Sequence, residues 1–334
     1  MTQLNSAFTL FLSLLVEAIP FLLLGVLFSG LLQFFVDERR LLAILPKNPL
    51  LGAFTGSCIG FLFPVCECGN VPVARRLLMQ GAPVSVAIGF LLAAPTINPI
   101  VFWATWTAFR DQPEIVFLRV GFSLAIATII GFIFSVQTDL RPLLQPGVAS
   151  AITMRNQSAD STPSLLQSGT YFLGQSAKPL ITDPSELQAA MMATVSKPMS
   201  FRLRLLLENT VQEMRELGAV LILGSAIAAL VQVFVPRDLI LSLGQSPITS
   251  ILAMMLLAGV VSICSTVDSF FALSFASTFT SGSLVAFLVF GPMIDLKGVG
   301  LMLSIFKPRA IFYLFALAAQ LTFVLTLFIN LYIS

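Results

Sequence analysis

Long apolar stretches alternate with short polar segments along this chain of 334 residues. A helix needs about 20 apolar residues to cross a bilayer, so stretches of that length predict membrane helices. They form two groups: 7–36, 49–65, 82–109 and 114–136, and then 208–235, 247–264, 269–306 and 310–333. Because Gly, Pro and charged residues interrupt several stretches, short re-entrant segments add to the count. The pattern predicts an all-α polytopic membrane protein with about eight to ten membrane segments.

The polar segment between the two groups divides the chain into three parts. Residues 137–204 are rich in Ser, Gln, Thr and Pro and lack a sustained apolar period. Such a composition cannot offset the entropy of ordering, so it predicts a flexible linker. The first membrane repeat then covers 1–136 and the second 205–334. The stretch FRLRLLLENTVQEMREL, 201–217, has the pattern of an amphipathic helix that leads into the second repeat.

Composition supports the membrane prediction and excludes other classes. Hydrophobic residues make up 57% of the chain and charged residues 10%, with a mean hydropathy of +0.95, whereas about a quarter of a soluble domain is charged. The net charge of +2 gives no basic field for nucleic acid. The first apolar stretch is too long for a signal-peptide core and has no basic residues before it, which favours a retained membrane helix. The chain has no histidine, so proton or metal chemistry falls to Asp, Glu and Cys.

The two groups of apolar stretches resemble each other. Segments 17–36 and 216–235 align without gaps and match at eight of twenty positions. Further matches follow in the same order at offsets of 197 to 199 residues: Cys66 with Cys264, Asn70 with Asp268, Pro95 with Pro292, and Asn98 with Asp295. We therefore predict two tandem homologous halves. Basic residues in 37–48 and in the linker favour cytoplasmic placement of both, hence inverted repeats; parallel repeats with an even number of spans are the alternative.

Prolines interrupt an apolar stretch in each half. The motif PTINP contains Pro95 and Pro99, and GPMIDLKG contains Pro292. A proline inside a helix removes a backbone donor and clashes with the preceding turn, so we predict a kink or an unwound segment at each motif. Unwound backbone at membrane depth is tolerated only where it is buried in protein or lines a wet cavity. Secondary transporters place such breaks around a substrate site near the midplane, between their repeats.

The stretch PVCECGNVPVARR, 64–76, combines two thiols with a carboxylate. We predict that Pro64, Gly69 and Pro72 prevent a regular helix, so that Cys66 and Cys68 point from irregular backbone towards one ligand. Thiolates select soft ions and compounds such as Cu(I), zinc or trivalent metalloids.

Two further residues extend the predicted thiol site, and a simpler interpretation competes with it. Glu67 is a candidate proton acceptor, and Cys264 is a third sulfur because it matches Cys66 in the duplication. The competing interpretation is that a buried cysteine packs as a small hydrophobe. That interpretation is preferred for Cys58 and is left open for the others.

Charges inside the apolar stretches are the second signal of a site, because each is costly in a membrane. Asp268 lies in CSTVDSFF, and Asp295 lies in the second proline motif, close to Lys297. Burial favours the protonated form of a carboxylate, so both are candidates to load and release a proton. The alternative is internal ion pairing, either of Asp295 with Lys297 or of Glu67 with a neighbouring arginine, Arg75 or Arg76.

These motifs carry a resemblance. The combination of FPVCECGNVPVARRL, QGAP, AAPTINP, CSTVDSFFALSFA and GPMIDLKG resembles the family of predicted bacterial permeases that includes the trivalent organoarsenical efflux permease. The likeness extends over both membrane repeats. It implies a transporter of the inner (plasma) membrane and, for the arsenical branch, an uncharged thiol-reactive substrate. Carried over by position, it implies functional roles for the following residues: Cys66, Glu67, Cys68, Gly69, Asn70, Pro95, Asn98, Pro99, Asp268, Pro292, Asp295 and Lys297.

The sequence therefore predicts a permease, not an enzyme, with no cofactor. Its expected partners are the lipid bilayer and a small molecule or ion, while homo-oligomerisation stays open. Two alternatives are a membrane channel and a thiol oxidoreductase that uses Cys66 and Cys68, although such enzymes usually carry a C-x-x-C motif. The predicted substrate-binding residues are Cys66, Glu67, Cys68, Asn70, Asn98, Cys264, Asp268, Asp295 and Lys297.

Overall fold

The fold is built from helices. The computed structural model describes residues 2–35, 45–46, 48–63, 66–136, 141–149, 199–234 and 246–332. The first half contains α1 Thr2–Phe35, α2 Pro49–Leu62, α3 Glu67–Met79, α4 Val84–Ile97, α5 Pro99–Ala108 and α6 Pro113–Val136. The second half contains α7 Met199–Phe234, α8 Pro247–Val261, α9 Asp268–Leu273, α10 Ser281–Met293, α11 Leu296–Met302 and α12 Pro308–Tyr332.

The helices confirm an all-α polytopic membrane protein. Among the described residues, five stretches are long and apolar enough to cross a bilayer: Asn5–Leu31, Val84–Ala108, Pro113–Val136, Ser281–Met302 and Pro308–Tyr332. Helices α2 and α8 are apolar but shorter. The predicted lead-in helix is continuous with α7, which begins at Met199 and so includes the end of the predicted linker. Most of that linker, like Pro64, lies outside the described residues.

The halves begin corresponding helices with corresponding caps. The Asn48 side chain accepts a hydrogen bond from the backbone of α2, and Ser246 does so for α8, with a proline as the first residue of each helix. Asn98 caps α5 and Asp295 caps α11, each through the N–H three residues ahead, at 2.9 and 2.6 Å. A side-chain acceptor before a first-turn proline is a strong helix start. Internal duplication stays a prediction. If the halves are duplicated, we expect their corresponding helices to have matching caps.

The helix breaks lie inside the two predicted proline motifs, but not at Pro95 or Pro292 themselves. Pro95 and Pro292 lie inside α4 and α10, and the chain leaves helical conformation only at Asn98 and at Ile294–Asp295. Pro99 is the first residue of α5. The first N–H groups of a helix have no intrahelical acceptor, so a proline there removes no hydrogen bond. The apolar stretch 269–306 therefore covers three helices, α9, α10 and α11, of which α10 and α11 together form the candidate span Ser281–Met302.

The predicted irregular backbone after Cys66 is also wrong in extent. Gly69 and Pro72 both lie inside α3, which runs unbroken to Met79. The backbone of Gly69 lies against Gly25 of α1, where a side chain on Gly25 would clash with it. The irregular segment is shorter than predicted and ends at Cys66, the N-cap of α3.

Small residues let the helices of the first half approach closely. Helices α2, α4 and α6 pack against one another. A methyl group on Gly60 of α2 would lie 2.8 Å from the backbone nitrogen of Ala94, and one on Gly131 of α6 would lie 2.9 Å from the carbonyl of Ser85. Such close backbone contact is typical of membrane helices, where burial of apolar surface does not drive association.

Contacts between the two halves position the candidate site. Helix α1 packs against α7 and α3, and α7 packs against α11. The short helix α3 of the first half contacts α11 of the second, and the short helix α9 of the second half contacts α5 of the first. Each half thus presents its short helix to the broken span of the other.

Candidate functional site

Two thiols and a carboxylate from the two halves meet in the interior. Cys66, Glu67 and Cys264 are all buried, and their ligand atoms lie within 4.8 Å of one another. The thiols of Cys264 and Cys68 are within interaction range of the Cys66 thiol. Cys66 precedes α3 and Cys264 lies in the non-helical segment between α8 and α9, so the sulfurs come from opposite halves.

The same backbone turn positions both cysteines. The carbonyl of Cys66 accepts hydrogen bonds from the N–H groups three and four residues ahead, at 3.1 and 3.2 Å. The carbonyl of Cys264 does the same at 2.9 and 3.0 Å. Each cysteine is therefore fixed at the start of a helical turn, where its side chain is directed by hydrogen-bonded backbone and not by a flexible loop.

A buried lysine faces this cluster. The Lys297 ammonium lies 3.5 Å from Glu67 Oε1, and the two side chains are 2% and 5% exposed. The carboxylate of Asp295 lies within electrostatic range of both Lys297 and Glu67. The half-buried Glu17 of α1 lies within electrostatic range of Glu67. Two buried carboxylates are thus within electrostatic range of one ammonium group, which contacts only Glu67.

Several buried oxygens near the two broken segments have no hydrogen-bond partner among the described residues. They are Glu67 Oε2, Asn70 Oδ1, Asp295 Oδ2 and Ser265 Oγ. Buried polar atoms are nearly always paired in native structures, so each of these oxygens is a place where a proton, a ligand or water can bind.

A second charged network joins the halves. Arg119 of α6 donates to both carboxylate oxygens of Asp268, at 3.0 and 2.7 Å, and to the hydroxyls of Thr105 and Ser269, both at 2.9 Å. Arg119 is 1% exposed. The sequence analysis missed Arg119, although an arginine inside an apolar stretch is itself a signal of function.

The ion pairs differ from those suggested by sequence proximity. Glu67 pairs with Lys297 and with neither nearby arginine. Those arginines instead reach α7: Arg76 contacts Glu213 at 3.0 Å and Arg75 contacts Glu216 at 3.5 Å. The pairing of Asp295 with Lys297 is not among the ion pairs of the described residues, because the Asp295 side chain caps α11.

The structure brings together only some of the predicted site residues. Cys66, Glu67 and Cys264 form the cluster, with Lys297 beside it and the buried Cys68 within interaction range of Cys66. The other predicted residues have structural partners, which are the carbonyl of Leu91 for Asn70, the start of α5 for Asn98, the start of α11 for Asp295 and Arg119 for Asp268. Cys58 is exposed on α2.

Comparisons with known proteins agree with the resemblance drawn from the motifs. The family model ArsP_1, described as a predicted permease, matches residues 3–331. The UPF0718 protein YcgR of Bacillus subtilis is 40% identical over 312 residues, which cover 93% of this chain and 92% of that protein. A protein of Streptococcus mutans named "Putative two-component membrane permease complex subunit" is 34% identical over 303 residues, covering 90% and 87%. No solved structure matches the chain.

A family match over nearly the whole chain confirms the predicted permease class and, with the apolar helices, a multi-pass bacterial membrane protein. Membership also supports transport over enzymatic activity. The chain belongs to the ArsP_1 family of predicted permeases.

Proposed function

We propose that this permease is a secondary carrier that exports a small thiol-reactive substrate, such as a trivalent organoarsenical, through the junction of its two halves. The observation that carries the proposal is the cluster of Cys66, Glu67 and Cys264, which joins sulfur atoms from opposite halves in a buried place. A site divided between two halves changes when they move relative to each other, as alternating access requires.

The cluster has the chemistry needed to capture such a substrate. In a trivalent arsenical, each thiol replaces one hydroxyl, so an arsenic–oxygen bond and an S–H bond break while an arsenic–sulfur bond and water form. Oxidation states do not change. Glu67 has a ligand oxygen within 4.8 Å of both sulfurs and an unpaired oxygen, Oε2, which suits it to carry the proton from the thiol to the departing hydroxyl.

We infer that Glu67 is a better proton carrier than Asp268, which the sequence suggested together with Asp295. Both carboxylate oxygens of Asp268 accept hydrogen bonds from Arg119, which supports a structural role. One oxygen of Glu67 has no partner, and its single lysine contact is long.

The free energy for transport does not come from nucleotide hydrolysis by this chain. No G-x-x-x-x-G-K-[ST] motif occurs in the sequence, so the chain has no P-loop for nucleotide. An ion gradient or a separate subunit then supplies the free energy. The S. mutans relative is named as a subunit of a two-component complex, and that name supports testing this chain both alone and with membrane extract.

Flux measurements in proteoliposomes test the proposal. We expect saturable, gradient-dependent flux for at least one member of a panel of trivalent arsenicals and thiophilic metal ions. Cys66→Ser and Cys264→Ser should each reduce that flux by about tenfold or more, because each removes one of the two sulfurs that bind the substrate.

Cys58→Ser is the matched control, since it makes the same chemical change on an exposed face of α2 and should leave flux unaltered. Native flux of every substrate in both the Cys66→Ser and Cys264→Ser proteins would overturn the proposal. Flux that never saturates would instead indicate a channel.

A further inference from the structure

We propose that the substrate held by Cys66, Glu67 and Cys264 is a thiophilic metal cation of the Zn²⁺ or Cd²⁺ type, and that Lys297 is a tethered cation that takes its place between cycles. This inference rests on the proposed function, because it concerns the same site, and it narrows the substrate class. Its first support is the donor set: two sulfur atoms and one carboxylate oxygen within 4.8 Å of one another. Sulfur and carboxylate ligands in this number suit zinc and its heavier analogue.

The charges around the cluster favour a cation over a neutral substrate. Glu67 and Asp295 are 5% and 4% exposed, and Lys297 is their only buried cationic neighbour among the described side chains. The half-buried Glu17 adds a further carboxylate within electrostatic range of Glu67. Excess negative charge inside a membrane protein is costly, so a positively charged ligand is stabilised there. A neutral arsenical leaves the excess uncompensated.

The hold of Lys297 on Glu67 is weak compared with the other buried ion pair. Its ammonium makes one contact of 3.5 Å to Glu67, whereas Arg119 makes two contacts of 3.0 and 2.7 Å to Asp268. Lys297 also lies in the first turn of α11, where the helix dipole disfavours a cation. Glu67 therefore has a partner that a better cation displaces.

The ammonium and the backbone of Lys297 have different surroundings. The ammonium is within electrostatic range of the thiols of Cys68 and Cys264 as well as of Glu67. The backbone at Lys297 packs against Gly224 of α7, where a methyl group on the glycine would lie 3.4 Å from the Lys297 Cα. In this proposal the exchange of the two cations is a movement of the Lys297 side chain.

Metal capture has a simple balance. The cation forms bonds to the sulfurs of Cys66 and Cys264 and to an oxygen of Glu67, two S–H bonds break, and the two protons leave to water. No electrons are transferred. Lys297 is released from Glu67 as the metal arrives and returns when the metal departs, so the empty site keeps a counter-ion.

Cadmium binding to the purified full-length protein in detergent tests the proposal. Cd²⁺ alone is titrated while the ultraviolet charge-transfer band of cadmium–thiolate bonds is recorded, and Zn²⁺ is then added as a competitor. We expect the band in the wild-type protein, its loss in Cys66→Ser and Cys264→Ser, and its removal by Zn²⁺. Lys297→Gln should lower the Kd for Cd²⁺ by about tenfold, within the range usual for two coupled ligands.

The flux of Cd²⁺ or Zn²⁺ in proteoliposomes separates competition from a merely structural role. Lys297→Gln should lower both KM and kcat, because the metal binds more tightly and no tethered cation aids its release. Lys307→Gln is the matched control, since this lysine is half-buried and lies after α11, and it should change neither constant. Should the Lys297→Gln protein not be recovered in folded form, Glu67→Gln decides: the band must persist with a raised Kd.

Three results overturn the inference. The first is the absence of the cadmium band in the wild-type protein, and the second is a Kd for Cd²⁺ that Lys297→Gln does not alter. The third applies if the Lys297→Gln protein does not fold, and it is a Kd that Glu67→Gln does not alter. If flux of a neutral arsenical still depends on Cys66 and Cys264 in such a case, the proposed function stands and only the cationic substrate is wrong. If no flux depends on the cysteines, the proposed function is itself wrong.

Discussion

Arg119→Met is expected to lower the free energy of unfolding in detergent by about 3–5 kcal/mol, because it leaves the carboxylate of Asp268 buried without a counter-charge. The arginine and the aspartate are 1% and 3% exposed, so water does not replace the lost partner. Thr105 and Ser269 also lose a charged donor. Denaturant-induced unfolding, followed by circular dichroism in a mild detergent, measures the change.

Two further variants show whether the effect comes from an unpaired charge. Arg119→Met combined with Asp268→Leu removes both charges, and most of the lost stability should return, since a buried ion pair contributes little over apolar residues of similar size. Arg75→Met breaks a pair whose glutamate, Glu216, is 41% exposed, and it should cost less than about 1 kcal/mol. Equal losses in Arg119→Met and Arg75→Met would contradict this account.

The sequence predicted the class of the fold because membrane helices are specified locally. Stretch length and hydropathy located α1, α2, α6, α8 and α12 within a few residues of their observed ends. The helix breaks were harder to place. A proline marks a missing donor, but whether the helix stops there depends on which group satisfies the freed carbonyl, and that group comes from a distant part of the chain.

The residue types of the candidate site were predictable from the sequence. The partner of each charged side chain was not. The predicted duplication matched Cys264 with Cys66, and the structure brings the two thiols together. By contrast, sequence proximity suggested Arg75 or Arg76 as the partner of Glu67, whereas its observed partner, Lys297, lies 230 positions away. Ion pairs in a membrane protein follow helix packing, which a single sequence does not specify.

Asn70 and Pro95 provide the clearest case of such a distant partner. Pro95 has no N–H to donate to the carbonyl of Leu91, four residues earlier in α4, and the Asn70 side chain donates to that carbonyl instead, at 2.6 Å. Asn70→Leu should therefore lower the free energy of unfolding by about 1–3 kcal/mol, because a buried carbonyl loses its donor. Adding Pro95→Ala should restore most of this loss, since alanine supplies the missing N–H within the helix.

The control is the matching proline of the second half. Pro292 lies inside α10 and matches Pro95 in the predicted duplication. The position that matches Asn70 is Asp268, which forms an ion pair with Arg119. Pro292→Ala supplies an N–H to a carbonyl that Asn70 does not serve, so its effect should add to that of Asn70→Leu without rescue. A double-mutant cycle in detergent measures both couplings. If Pro95→Ala and Pro292→Ala rescue Asn70→Leu equally, or neither does, the hydrogen bond to Leu91 does not stabilise α4 and Asn70 is left with its predicted role in binding.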